Sequence, residues 1–283
     1  MKKKGLLSII VLAMAILVLF SMTSCGNKTS KTDIKEKTIV AVSIVPQKTF
    51  VEAVCGDLAD VIVMVPSGHS PANYEPTPKE MEQFNKAKLY FTIGVPTEEA
   101  NIIPNASEIS TMKIVNLQAD VSKIYPDREL SPGQRDPHIW LSPKRVIVMV
   151  QSIANEMGKI DPSNKEKYQK NAKMYIKKLG TLDEEIKNAL KGDTDRKFIV
   201  FHPAFGYLAD DYGLKMYALE QGGKEATPQR LKEMIDLAKQ ENIKAIFYQA
   251  ESFAEEIGGK TVQLAPLAPN YIENLEKMAK LMK

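Results

Sequence analysis

Short apolar, β-branched runs recur along this chain, and stretches of helical spacing separate them. Four fall in the first half: TIVAVSIV (38–45), DVIVMVP (60–66), KLYFTIG (88–94) and KIVNL (113–117). Four more follow Gly192: KFIVF (197–201), LKMYAL (214–219), KAIFY (244–248) and KTVQL (260–264). Runs that are apolar at successive positions suit strands covered on both faces. When helices separate such strands, the strands pair most simply in parallel, because each helix carries the chain back to its starting edge. The expectation is an α/β protein with two (β/α) lobes, each with a mainly parallel four-stranded sheet. TIVAVSIVPQKTFVEAVCGDLADVIVMV and KFIVFHPAFGYLADDYGLKMYAL both run strand, proline-containing turn, short helix, strand. That weak internal symmetry fits two similar lobes about a cleft.

Between the two sets of strands the pattern turns helical. SPKRVIVMVQSIANEMGKI starts at Ser142 and Pro143, and Asp161-Pro162 breaks it. SNKEKYQKNAKMYIKKLGTLDEEIKNALKG restarts it, with Ser163 and Glu166 spaced as a capping box. Its apolar stripe runs through Tyr168, Ala172, Tyr175, Ile176, Leu179, Leu182, Ile186 and Leu190, at spacings of three and four. Gly180 costs such a helix about 1 kcal/mol relative to alanine, so packing has to support it. At ~1.5 Å per residue the helix reaches roughly 40 Å, longer than one small lobe needs. A long backbone helix joining two lobes explains that length. The expected organisation is an N-terminal lobe over 38–160, the linking helix over 161–192 and a C-terminal lobe over 193–283. Within the first lobe, TPKEMEQFNKA (77–87) carries its own start signal: Thr77 as N-cap, Pro78 in the first turn and Glu80 three residues on from Thr77.

The N-terminus bears on location. MKKKG is basic, LLSIIVLAMAILVLF is an apolar run shorter than the ~20 residues of a membrane-spanning helix, and SMTSCGN follows. This is the layout of a secretory signal, and Thr23-Ser24-Cys25-Gly26 resembles a bacterial lipobox. On that reading residues 1–24 are a lipoprotein signal peptide and Cys25 carries the acyl chains. The polar stretch 25–37 is a flexible tether. The protein is then exported to the cell envelope, lipid-anchored on the outer side of the cytoplasmic membrane or in the periplasm. The other reading is an uncleaved anchor helix. Lys2, Lys3 and Lys4 are the only charges in residues 1–24; removing them from the 38 Lys and Arg leaves 35, against 35 Asp and Glu. The remainder is neutral, which argues against nucleic acid as a partner. Cys55, the second of two cysteines, follows the apolar face of Phe50, Val51 and Val54 and reads as a buried structural thiol.

The chain has three histidines, and each falls in a proline-rich connection. His69 lies three residues past DVIVMVP, His138 sits in RDPHIWLSPKR, and His202 directly follows FIVF. Open α/β sheets bind ligands beyond the C-terminal ends of their strands. Three neutral imidazoles converging in a cleft suit a borderline-soft divalent ion. Pro137 and Pro143 restrict the backbone around His138, and Trp140, the single tryptophan, packs beneath it. Asp136 has two readings, an acceptor that orients an imidazole N–H or a turn residue.

HSPANYEPTPKEM, LYFTIGVPTEE, DPHIWLSP, FHPAFGYLADDYGL and PLAPNYIENL together carry a resemblance over nearly the whole mature chain. They resemble the metal-binding lipoproteins of bacterial ABC importers, the cluster A-I family that serves zinc and manganese uptake. The resemblance implies two (β/α) lobes joined by a long rigid helix, a metal ion between them, and His69, His138 and His202 as ligands. Manganese-binding members usually have glutamate where this chain has His202, so zinc is the expected cargo and Mn²⁺ the second choice. The family's fourth ligand, an aspartate, is replaced here by Ala265 in LAPLAP, which leaves water or Glu251 for that position. The resemblance also implies a monomer that delivers its ion to an ABC importer permease.

Other functions stay in view: a manganese or iron binder of the same family, a binder of a siderophore or haem, or a three-histidine zinc hydrolase. An organic ligand wants an aromatic or basic cleft, whereas Tyr74, Tyr125, Trp140 and Phe205 are explained by packing. A hydrolase needs a general base. H-E-x-x-H and G-x-S-x-G are both absent, and the adjacent acids Glu98 and Glu99 read as a solvated surface pair. The protein is therefore expected not to be an enzyme.

Overall fold

The computed structural model describes residues 37–106, 111–191, 197–220, 226–243, 245–247, 260–261 and 265–281. The signal segment 1–24, Cys25, the tether up to residue 36 and Glu251 lie outside the described residues. The first half runs β1 (Thr38–Ile44), α1 (Val45–Cys55), β2 (Ala59–Val65), α2 (Pro78–Phe84), β3 (Leu89–Thr92), a π-helical turn (Glu98–Ile102), α3 (Ile103–Ala106), β4 (Lys113–Asn116) and α4 (Leu117–Ser122). A short antiparallel hairpin of β5 (Glu129–Ser131) and β6 (Gln134–Arg135) follows, then α5 (Pro143–Ile160) and α6 (Lys165–Ala189). The second half runs β7 (Lys197–Val200), α7 (Gly206–Tyr212), β8 (Lys215–Ala218), α8 (Pro228–Gln240), β9 (Ala245–Phe247), β10 (Lys260–Thr261) and α9 (Tyr271–Leu281).

The fold is α/β. One sheet has the order β2-β1-β3-β4 and the other β10-β9-β7-β8, and every pairing within them is parallel. Counted from its own first strand, each sheet reads second, first, third, fourth, so the same topology occurs twice. The helix starts follow the local chemistry. Thr77 Oγ1 accepts from the Glu80 amide at 3.3 Å, and the Glu80 carboxylate accepts from the Thr77 amide at 2.7 Å. The Ser163 capping box does not form. The Ser163 hydroxyl donates instead to Asp161 Oδ1 at 2.6 Å, inside a 3₁₀ turn that precedes α6. The Asp-Pro break supplies a nearer acceptor than the helix N-terminus does.

Alternation along the strands divides the core. Val40, Val42 and Ile44 face one way, with Phe198 and Val200 of β7 in the same cluster, together with α5 and α6 residues such as Val146, Ile153, Leu179 and Ile186. Ala41, Met64 and Tyr90 face the outer side of the first sheet, and Ile199 the outer side of the second, as a two-residue period requires. One apolar core therefore runs through both halves. The 25 residues of α6, about 37 Å long, lie along it.

Polar contacts close the same junction. Arg145 on α5 bonds Asp211 on α7 at 2.7 Å, and the two side chains are only 5 and 11 % exposed. Ser142 donates to the same carboxylate. The Arg145 guanidinium lies 4.5 Å from the Tyr207 ring centre and 5.3 Å from that of Tyr125. Arg128 Nη1 donates to both carboxylate oxygens of Asp210, at 2.9 and 3.0 Å. It crosses the start of α7 where Gly206 leaves room; a Cβ there would collide with the guanidinium.

Candidate metal centre

Sheet register positions the first histidine. β7 and β8 pair in parallel with Val200 opposite Ala218. The ladder continues past the strand ends, since the amides of Leu219 and Glu220 donate to the carbonyls of Val200 and Phe201, both at 2.9 Å. Two steps beyond the last pair, His202 stands beside Glu220, and its Nδ1 meets Glu220 Oε2 at 2.8 Å. His138 is set by its own loop. Asp136 Oδ1 accepts from the His138 amide at 2.9 Å and meets His138 Nδ1 at 2.7 Å. Asp136 is fully buried and lies 3.3 Å from the Arg128 guanidinium. Of the two readings of Asp136, the geometry supports the orienting acceptor. The Trp140 ring packs 5.2 Å from the His138 ring, and its Nε1 donates to the Pro266 carbonyl at 2.8 Å.

These contacts bring His138 Nε2 and His202 Nε2 to 3.1 Å from each other. A carboxylate beside Nδ1 holds the imidazole proton there and leaves the Nε2 lone pair free. With both protons at Nδ1, an ion placed between the rings would meet two lone pairs. A tetrahedral ion bound at ~2.0–2.1 Å to both nitrogens would hold them roughly 3.4 Å apart, close to the separation found. Burial pushes His138 below the ordinary imidazole value of 6.5, against the opposing pull of Asp136. It therefore offers a lone pair, not a second proton, at neutral pH.

His69 stands apart from this pair. It is exposed, on the turn after β2, where its amide donates to the Pro66 carbonyl at 3.2 Å and Gly68 takes a φ of +87°. Its ring packs tilted against that of Tyr74, with centroids 4.7 Å apart. Among the described residues no three His, Cys, Asp or Glu side chains converge closely enough to hold one ion. His69, His138, His202 and Glu220 nevertheless line one open cavity of about 1160 Å³. The loop beyond His69 is anchored, because the Tyr74 carbonyl accepts from Asn101 Nδ2 at 2.8 Å and from the Thr97 hydroxyl. The Ser67–Gly68 turn itself is exposed. Ala265 is exposed and its carbonyl accepts from Asn274 Nδ2 at 2.9 Å, while its neighbours Pro266 and Leu267 line the cavity.

The cavity also exposes three arginines, each paired with an acid: Arg128 with Asp136 and Asp210, Arg135 with Asp127, and Arg230 with Glu233. These pairings offset part of the positive charge at the cavity wall. Glu98 is not the solvated residue that its acidic neighbour suggested. It is 1 % exposed, and its carboxylate accepts from the Ser43 hydroxyl and from the amides of Ile93 and Gly94 at 2.8 and 2.7 Å. It braces the turn after β3 and does not face the cavity as a base. Glu220 is the site residue that the sequence reading missed. The available signal was an acid just past β8, the strand beside the one that ends at His202.

Residues 40–283 match the family model described as ZnuA, zinc-uptake complex component A periplasmic. The chain belongs to the ZnuA family. The high-affinity zinc uptake system protein ZnuA of Bacillus subtilis is 32% identical over 279 residues, covering 90% of this chain and 86% of that protein. The manganese ABC transporter substrate-binding lipoprotein PsaA of Streptococcus mitis is 30% identical over 283 residues, covering 96% and 89%. A crystal structure of ZnuA superposes with a TM-score of 0.80 at 34% identity, covering 87% of this chain and 97% of that one. The two-lobed ZnuA architecture is therefore the fold of this chain, and ZnuA relatives are solute-binding transport proteins.

Proposed function

We propose that this protein captures a divalent cation, zinc first, in the cleft between its two lobes and delivers it to an ABC importer permease. The observation that carries the reading is the pair of Nε2 atoms 3.1 Å apart, each imidazole backed by a carboxylate at Nδ1. His138 and His202 form a ready half-site. His69 completes it when the Ser67–Gly68 turn carries its ring inward. With Ala265 unable to coordinate, water takes the fourth position. The protein acts outside the membrane as a monomer, with Cys25 as its lipid anchor and residues 25–37 as its tether. Its role is binding and delivery, not catalysis. A manganese cargo is the second reading, favoured by the similarity to PsaA; imidazole donors favour the softer zinc ion.

The test is direct. Detergent-solubilised full chain is stripped with a chelator, dialysed against equimolar Zn²⁺, Mn²⁺ and Fe²⁺, and its metal content is measured. One zinc per chain, lost in His138→Ala and His202→Ala, is the expected result. Preferential manganese uptake would select the second reading. No retained metal would reject both.

A further inference from the structure

We infer that Glu220 is a positioning residue for the ion. It fixes the His202 ring and supplies from outside the coordination sphere the negative charge that Ala265 does not supply from within. The inference rests on the metal-capture reading above. Its basis is geometric. Glu220 Oε2 lies 2.8 Å from His202 Nδ1, while His202 Nε2 points the other way, at His138 Nε2. Glu220 thus sits behind the imidazole and not among the ligands. Its side chain is 14 % exposed, whereas that of His202 is 47 % exposed. Without a partner, so exposed a ring would sample several rotamers, and each binding event would carry the entropy cost of choosing one.

The arrangement repeats across the cleft. Asp136 stands behind His138 as Glu220 stands behind His202. Three imidazoles bring no charge to a dication, and alanine at position 265 brings none. Both carboxylates, each one imidazole away, make the Nε2 in front of them a stronger donor; the charge of Asp136 is shared with Arg128 at 3.3 Å, so the negative charge offered to the ion comes chiefly from Glu220. The two carboxylates reach that place by different routes. Asp136 is two residues from its histidine and arrives through a local turn. Glu220 is eighteen residues away and arrives only through the β7–β8 register.

The experiment compares full-length wild type, Glu220→Ala and Glu220→Gln in detergent, by competition with a chromophoric zinc chelator. A partner behind a metal-bound histidine is worth about 10–100-fold in affinity. Glu220→Ala should weaken zinc by that factor. Glu220→Gln keeps an acceptor without the charge and should recover part of the loss. The melting temperature of the metal-free protein should not change in Glu220→Gln, which separates positioning from folding. In the Co²⁺-loaded protein, both variants should shift the visible ligand-field bands while X-ray absorption reports the same donor count. Zinc affinity in Glu220→Ala within twofold of wild type would overturn the inference and leave metal capture standing. Loss of an oxygen donor in the variants would also overturn it, by making Glu220 a ligand. Wild type that binds no zinc would instead sink the capture reading, and this inference with it.

Discussion

Replacing Arg145 with methionine should destabilise the protein more than any exposed substitution, and the effect can be sized from the junction it breaks. Arg145 and Asp211 pair at 2.7 Å with 5 and 11 % of their side chains exposed. Removing one partner of such a pair leaves the other charge buried, at a cost of about 3–5 kcal/mol. The Ser142 hydroxyl still donates to Asp211, so the lower part of that range applies. For a domain of this size each kcal/mol moves the melting temperature by about 2–4 °C, which predicts a fall of roughly 6–12 °C for about 3 kcal/mol. Asp211→Asn should cost less, because the stranded guanidinium keeps the faces of Tyr207 and Tyr125, a contact worth about 0.5–2 kcal/mol. The double variant Arg145→Met/Asp211→Asn removes both charges and should regain most of the loss. Thermal unfolding followed by circular dichroism on all four proteins gives the complete cycle. Single variants within about 1 kcal/mol of wild type, or a double variant no better than the worse single, would refute the reasoning. The pair matters to function because α7 follows His202 and α5 follows His138; the clasp holds the two imidazoles in register.

Further tests follow from individual residues. Burial raises Glu98 from 4.5 to about 7, against the pull of its hydrogen bonds and of Arg135. A raised carboxyl pKa means that the folded state holds the proton more tightly, so its contribution to stability is full below pH 4.5 and lost as pH rises through 7. Melting temperature measured against Glu98→Gln should therefore fall for wild type between pH 4.5 and 7, and a constant difference would contradict this. His69→Ala should weaken zinc less than His138→Ala or His202→Ala, which should each lose at least the ~100-fold that an outer partner can cost; equal losses in a chelator competition would reject the preformed pair. Burial pushes the Cys55 thiol up to about 12, so it should resist a thiol reagent at pH 8 in the native protein and react only after denaturation.

Much of the architecture was readable in linear order. Strands and helices announce themselves by periods of two and 3.6, and both signals arise between residues a few positions apart. So do the Thr77–Glu80 box and the contact of Asp136 with His138. The three histidines stood out because each falls where a strand or loop hands over to the next element. The Ser163 box failed for the same kind of reason, since a nearer acceptor, Asp161, captured the hydroxyl. The β5–β6 hairpin escaped notice because its strands are only three and two residues long, too short to show a period.

Other features depend on segments that meet only after folding. Glu98 looks like a surface acid until Ser43, Ile93 and Gly94 close around it. Glu220 has no visible partner until the ladder between β7 and β8 aligns it with His202. The shared core that joins the lobes, and the 3.1 Å between two imidazole nitrogens from distant loops, belong to this second class. Residue type and spacing dictate which groups can bind an ion and which elements carry them. Strand register, burial and the packing of α7 against α5 dictate which of them face each other, because those distances are set by contacts between residues far apart in the chain.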